Sequence, residues 1–179
     1  MISVTVWAVV MKGASMIVGI STATFTLVHV AISLIGMLAG VVVLAAMIGS
    51  RRAPGWTGLF LVATIATSAT GFLFPFKGFD PADGVGVISL AALAVAVLAL
   101  YGRHLLGAWR AIYVIAALLA FYLNVFVGVV QAFQKVAALH ALAPTGSEPP
   151  FLVAQVIVLA AFLVLGFVAL KRFHPLARI

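Results

Sequence analysis

The chain has 179 residues, of which 66% are hydrophobic and 7% charged, with a mean hydropathy of +1.35. A soluble domain carries about 25% charged residues, so a soluble globular fold is excluded. There is no cysteine, which removes disulfides, thiolate metal sites, iron–sulfur clusters, thioether-linked haem and cysteine nucleophiles. The excess of ten Lys+Arg over three Asp+Glu would suggest nucleic acid in a soluble chain. In one this apolar it is the bias that orients helices in a bilayer, and no nucleic-acid partner is expected.

Residues 1–22 begin the chain with an apolar stretch that lacks a basic leader and is interrupted by Lys12, so neither a signal peptide nor a further span fits. They read as an interfacial segment or as an extension ahead of an internal start at Met11 or Met16. Five stretches then follow that are long enough to cross about 30 Å of hydrocarbon: residues 23–48, 56–76, 84–101, 109–134 and 151–170. The breaks between them are polar, basic or proline-bearing and read as loops. Asp80, Pro81 and Asp83 resemble a cap, a first-turn proline and a first-turn acid for the third span, and Glu148 with Pro149 and Pro150 start the fifth in the same way. The fold expected over residues 23–172 is all-α, an integral membrane bundle of five transmembrane helices, followed by a basic cytoplasmic tail, residues 173–179.

Orientation follows from the basic residues. The loops after the first and third spans, together with the C-terminus, hold Arg51, Arg52, Arg103, Arg110, Lys171, Arg172 and Arg178, leaving Lys12, Lys77 and Lys135 for the other side. Short cytoplasmic loops retain such an excess, so the N-terminus is expected outside and the C-terminus inside. Trp56, Tyr101, Trp109 and Tyr113 then gather near the inner interface as an aromatic belt.

Polar side chains within a span should face other helices or a cavity, because lipid offers them no partner. The fourth span carries a small or polar stripe, Tyr113, Ala117, Ala120, Asn124, Gly128 and Gln131, at helical steps. The first carries His29, Ser33, Gly36 and Gly40, the last two forming GxxxG; the second carries Thr64, Thr67, Ser68 and Gly71; the fifth carries Gln155 and Gly166. Close helix packing is the plainer explanation. The sharper one comes from depth, since the expected topology sets His29, Ser33, Thr67, Ser68, Gln131 and Gln155 in one leaflet with Asn124 as a floor. These seven are the expected lining of a small polar pocket open to the outer face.

Catalytic signatures are lacking. No HExxH, no GxSxG, no phosphate-cradling glycine loop and no carboxylate within a span occurs, so neither an enzyme nor a metal site is expected. His29, His104, His140 and His174 fall as two pairs toward opposite faces, which suggests a haem-b electron carrier as an alternative, with His29 as its one ligand inside a span. An oligomeric transporter or channel is a second alternative, with the GxxxG and the alanine-rich third span available as interfaces.

The segments TGFLFPFKGFDPADGVGVISL (residues 70–90) and YLNVFVGVVQAFQKVAALHALAP (residues 122–144) resemble the small uncharacterised polytopic inner-membrane proteins of proteobacteria, over residues 22–173. That resemblance implies multi-pass residence in a bacterial inner membrane and transfers no catalytic residue. The expectation is a non-enzymatic membrane protein. It would act as an accessory subunit with a membrane-protein partner or as a homo-oligomer, or bind a small or lipophilic ligand.

Overall fold

A computed structural model of the chain describes residues 16, 17, 19–74 and 81–175. Two short strands, β1 (Met16–Ile17) and β2 (Ile20–Ser21), pair antiparallel. Ser21 then caps α1 (Thr22–Ile48), its Oγ accepting from the Thr24 N–H at 3.1 Å, which satisfies one of the donors left over at a helix start. The remaining helices are α2 (Pro54–Gly71), α3 (Pro81–Val97), α4 (Trp109–Lys135), α5 (Ala137–Leu142) and α6 (Pro149–Arg172). Pro54 and Pro149 open α2 and α6, where a missing N–H is harmless. The last turn of α3 widens into a π-helical turn, Leu98–Gly102.

Each expected span corresponds to a long helix. The second ends earlier than expected, at Gly71, followed by a turn over Phe72–Phe74; the rest of that span and the Asp80 cap lie outside the described residues. The loop after the fourth span holds the short α5, whose sequence AALHAL is rich in helix formers. Four helical stretches, Thr22–Ile48, Ala82–Gly102, Trp109–Lys135 and Pro149–Arg172, are long and apolar enough to cross a membrane. α2, diluted by four threonines, Ser68 and three glycines in 18 residues, is less apolar.

The helices run up and down in sequence, and the α1–α2 pair shows the register plainly. Phe25 meets Phe74 edge-on at 5.1 Å between centroids, His29 bonds Thr70, and Gly36 faces Ala63 and Thr64. Farther along, Val43 and Met47 share a cavity wall with Thr57. α2 therefore accompanies α1 from Phe25 to Met47. α4 stands at the centre, packed on α1, α3 and α6: half of its apolar stretch is buried by the rest of the bundle, against 6% for α6. The core runs through Ala39, Met47, Phe60, Leu93, Ala96, Val114, Ala117 and Phe121. Within it the Phe121 ring lies directly on the backbone of Gly40.

The start of the expected tail is docked. Arg110 Nη1 donates to the carbonyls of Leu170 at 3.0 Å and Phe173 at 2.8 Å, satisfying exposed acceptors at the end of α6. Phe173 is buried, and the His174 N–H donates to Ser50 Oγ at 3.0 Å.

Candidate functional site

The sharpest local arrangement begins at His29. Thr70 Oγ1 donates back into its own helix, to Ala66 O at 2.7 Å. Its proton is thus committed, and in the 2.8 Å contact with His29 the imidazole Nδ1–H is the donor. In its neutral form the ring then carries its lone pair on Nε2. Phe74 stands edge-on to the same imidazole, 5.3 Å between centroids.

One turn farther along α1, Ser33 Oγ donates to Asn124 Oδ1 at 2.9 Å, and Asn124 Nδ2 reaches back toward Ser33 O at 3.5 Å. Gly36 makes this approach possible, because a β-carbon there would lie 3.2 Å from Thr64 Oγ1 and 3.3 Å from Asn124 Nδ2. Polar groups of α1, α2 and α4 therefore meet across a backbone without a side chain. Thr64 is 1% exposed and Asn124 7%.

Asn124 has partners; Thr64 has none. Among the described residues the buried side-chain polar atoms without a hydrogen-bond partner are Thr64 Oγ1, Thr67 Oγ1 and Gln155 Oε1. An unpaired polar atom costs most where no water can reach it. Thr64 sits near the middle of α2, Thr67 a turn beyond it, and Gln155 near the start of α6. All three lie between mid-bundle and the end at which α1 begins.

The seven expected lining residues divide. Ser33 and Asn124 are bonded to each other, His29 lies a turn above Ser33 on the same helix, and Thr67 belongs to the facing helix. Ser68 instead links α2 to α3 through Ser89 at 3.0 Å, and Gln155 Nε2 donates to Phe126 O at 3.2 Å, tying α6 to α4. Gln131 is exposed; the stripe on α4 is buried from Tyr113 to Asn124, meets Met37 at Gly128, and turns outward before Gln131. Thr64 and Thr70 belong with the site, and their steps of three from Thr67 are the signal that places them on its face. Ser89 was legible only as a lone hydroxyl in an alanine-rich helix.

The other histidines, His104, His140 and His174, are exposed and lie off the long helices. No group of three His, Asp or Glu gathers among the described residues. Beyond the membrane-length segments, Glu148 stands at the start of α6 but turns toward the preceding loop. Its Oε1 accepts from the Thr145 N–H at 2.9 Å and its Oε2 from the Ser147 N–H at 3.0 Å. The backbone bond from Thr145, with smaller help from Ser147, holds this exposed carboxyl down to about 2.

The chain matches no protein-family model, no curated protein and no solved structure at a significant level. The fold and the site are those of a multi-pass helical assembly with a polar seam in one half, and any functional assignment rests on that geometry.

Proposed function

We propose that this chain is a non-enzymatic, five-span protein of a bacterial inner membrane that binds a small or lipophilic ligand through the polar seam in its outer half, either alone or as an accessory subunit. The observation that carries the reading is the pair of buried hydroxyls on the α2 face of the seam that are left without partners, Thr64 Oγ1 and Thr67 Oγ1. A bundle that only needed glue would use its polar groups against one another, as Ser33 and Asn124 do. Unspent donors and acceptors in an otherwise apolar interior are what a ligand with a polar head would satisfy. His29 Nε2 adds an acceptor nearer the outer end.

Five crossings are favoured by the pairing of α2 with α1 from Phe25 to Met47, since a helix that accompanies a spanning neighbour over most of its length shares its depth. The bias of seven of ten basic residues favours an external N-terminus. The test is native mass spectrometry with cofactor and lipid identification on gently extracted full-length protein, wild type against Thr64→Val/Thr67→Val. A bound small molecule retained by the wild type and lost from the equally stable variant supports the reading. Wild-type protein that carries nothing beyond bulk lipid overturns it. A retained haem, with a Soret band abolished in His29→Ala, replaces it by an electron carrier, and substrate flux by an oligomer in proteoliposomes replaces it by a transporter.

A further inference from the structure

At the opposite end of the bundle from the polar seam, the ends of α1, α2 and α4, the π-helical turn and Phe173 line an open cavity of about 210 Å³. Its rim carries Arg51, Arg52 and His104, and its walls include the hydroxyl-bearing Thr57 and Tyr113 over a floor formed by Met47. The rim side chains are exposed, while Thr57, Tyr113 and Met47 are 7%, 2% and 1% exposed. Tyr113 and Thr57 stand on the same wall, close enough for their hydroxyls to interact. No carboxylate is among the lining residues. Of the three acidic residues in the chain, Asp83 begins α3 and Glu148 precedes α6, both at the far end, and Asp80 lies outside the described residues.

The backbone beside this space takes uncommon conformations. Among the described residues, Ser50, His104 and Leu105 are the non-glycine positions with positive φ, at +54°, +52° and +62°. His104 and Leu105 line the cavity and Ser50 precedes Arg51. The π-helical turn Leu98–Gly102 presents Leu100 and Tyr101 to it; such turns recur at functional sites. The volume is below the ~300–1,000 Å³ of sites for drug-sized ligands, and the two arginines among its lining residues carry the guanidinium donors that match the oxygens of a phosphate.

We propose that this basic end holds a phosphate-bearing anion in the cavity between Arg51, Arg52 and His104, the headgroup of an acidic phospholipid being its source in the membrane. Arg52 and Arg51 supply the charge-assisted hydrogen bonds, and the apolar walls beside Leu100 and Leu105 receive the first carbons of the glycerol and acyl chains. A basic cleft between helices at the cytoplasmic side recognises acidic lipids by this chemistry. Orientation in the membrane needs basic residues near this end but not a cavity beneath them, and Lys171 and Arg172 provide the comparison: they are equally basic, at the same end, and outside the cavity.

The test is native mass spectrometry of the delipidated full-length protein in uncharged detergent, titrated with phosphatidylglycerol, with phosphatidylcholine and with inorganic phosphate. Phosphatidylglycerol is expected to be retained over phosphatidylcholine. Arg51→Gln/Arg52→Gln is expected to weaken it about 25-fold, at about fivefold per basic side chain, while Lys171→Gln/Arg172→Gln leaves binding nearly unchanged. Inorganic phosphate that binds and displaces the lipid, or binds where the lipid does not, supports the same site with a free phosphate as its source. Equal retention of both lipids without phosphate binding overturns the proposal. So does an equal loss in the two double variants, which would reduce the effect to surface charge.

Discussion

Gly40→Ala tests the packing on which the whole arrangement depends. The new methyl would lie 2.7 Å from Cδ2 and Cε2 of Phe121 and 3.0 Å from its Cγ, whereas carbon atoms settle at about 3.5–4.0 Å. The ring cannot swing away: Phe121 is 4% exposed and stands edge-on to Phe60 at 6.0 Å and to Phe162 at 4.9 Å between centroids. Relief requires α1 and α4 to separate by most of an ångström, and overpacking on that scale costs about 1–3 kcal/mol. Alanine also gains about 0.8–1.0 kcal/mol over glycine in a helix, so the comparison is with Gly58→Ala in α2, where a β-carbon meets nothing within 4 Å. The propensity gain is common to both, and the expected difference in unfolding free energy is the clash itself, about 1–3 kcal/mol, read by denaturant unfolding of the full chain in detergent. In a Phe121→Leu background the penalty of Gly40→Ala should shrink, because neighbouring residues couple. Equal stability of Gly40→Ala and Gly58→Ala would refute the close approach of α1 to α4.

Asn124→Ala removes the bonds to Ser33 and should lower stability by about 0.6–1.7 kcal/mol, the range of hydrogen bonds between helices in membranes, measured by the same unfolding assay. Thr64→Val replaces an unpartnered buried hydroxyl by a methyl and should leave the ligand-free protein as stable or more so, since an unsatisfied group costs about 1–3 kcal/mol; a clear loss would mean that the hydroxyl has a partner in solution. Arg110→Ala frees the carbonyls of Leu170 and Phe173 and should raise amide hydrogen exchange at the end of α6 and over Phe173–His174, with no change at Gln155. The Glu148 carboxyl, lowered from 4.5 to about 2, stabilises the Thr145–Glu148 turn only when ionised. That contribution should be complete above pH 4.5 and vanish as pH falls toward about 2, visible as loss of protection of the Thr145 and Ser147 amides, and Glu148→Gln should show the low-pH behaviour at neutral pH.

The long helices were legible because apolar length, proline starts and basic ends are local properties. Pro54 and Pro149 open α2 and α6, and the helix that carries the longest stripe, α4, is the central one, since small residues admit close neighbours. The site was legible to the level of helix face. Ser33 and Asn124 stand on faces that meet, but their pairing depends on the offset between α1 and α4, which no local pattern encodes. Gln131 continues the stripe by spacing but is exposed, one turn past Gly128, where the stripe still meets Met37 of α1. The basic cavity was hidden for another reason: Arg51, Arg52 and Tyr113 read as markers of orientation and interface, and the positive φ of His104 and Leu105 that line the same space is uncommon outside glycine and announced by no local pattern.

The polar seam lies in one leaflet only if α2 crosses the bilayer, and the absence of native cysteine allows this to be read directly. Single substitutions Ser50→Cys and Leu73→Cys, at the two ends of α2, can be probed in intact cells with a thiol reagent that does not cross membranes. Labelling of Leu73→Cys from outside, with Ser50→Cys reached only after permeabilisation, is the expected result. Labelling of both from the same side would contradict it.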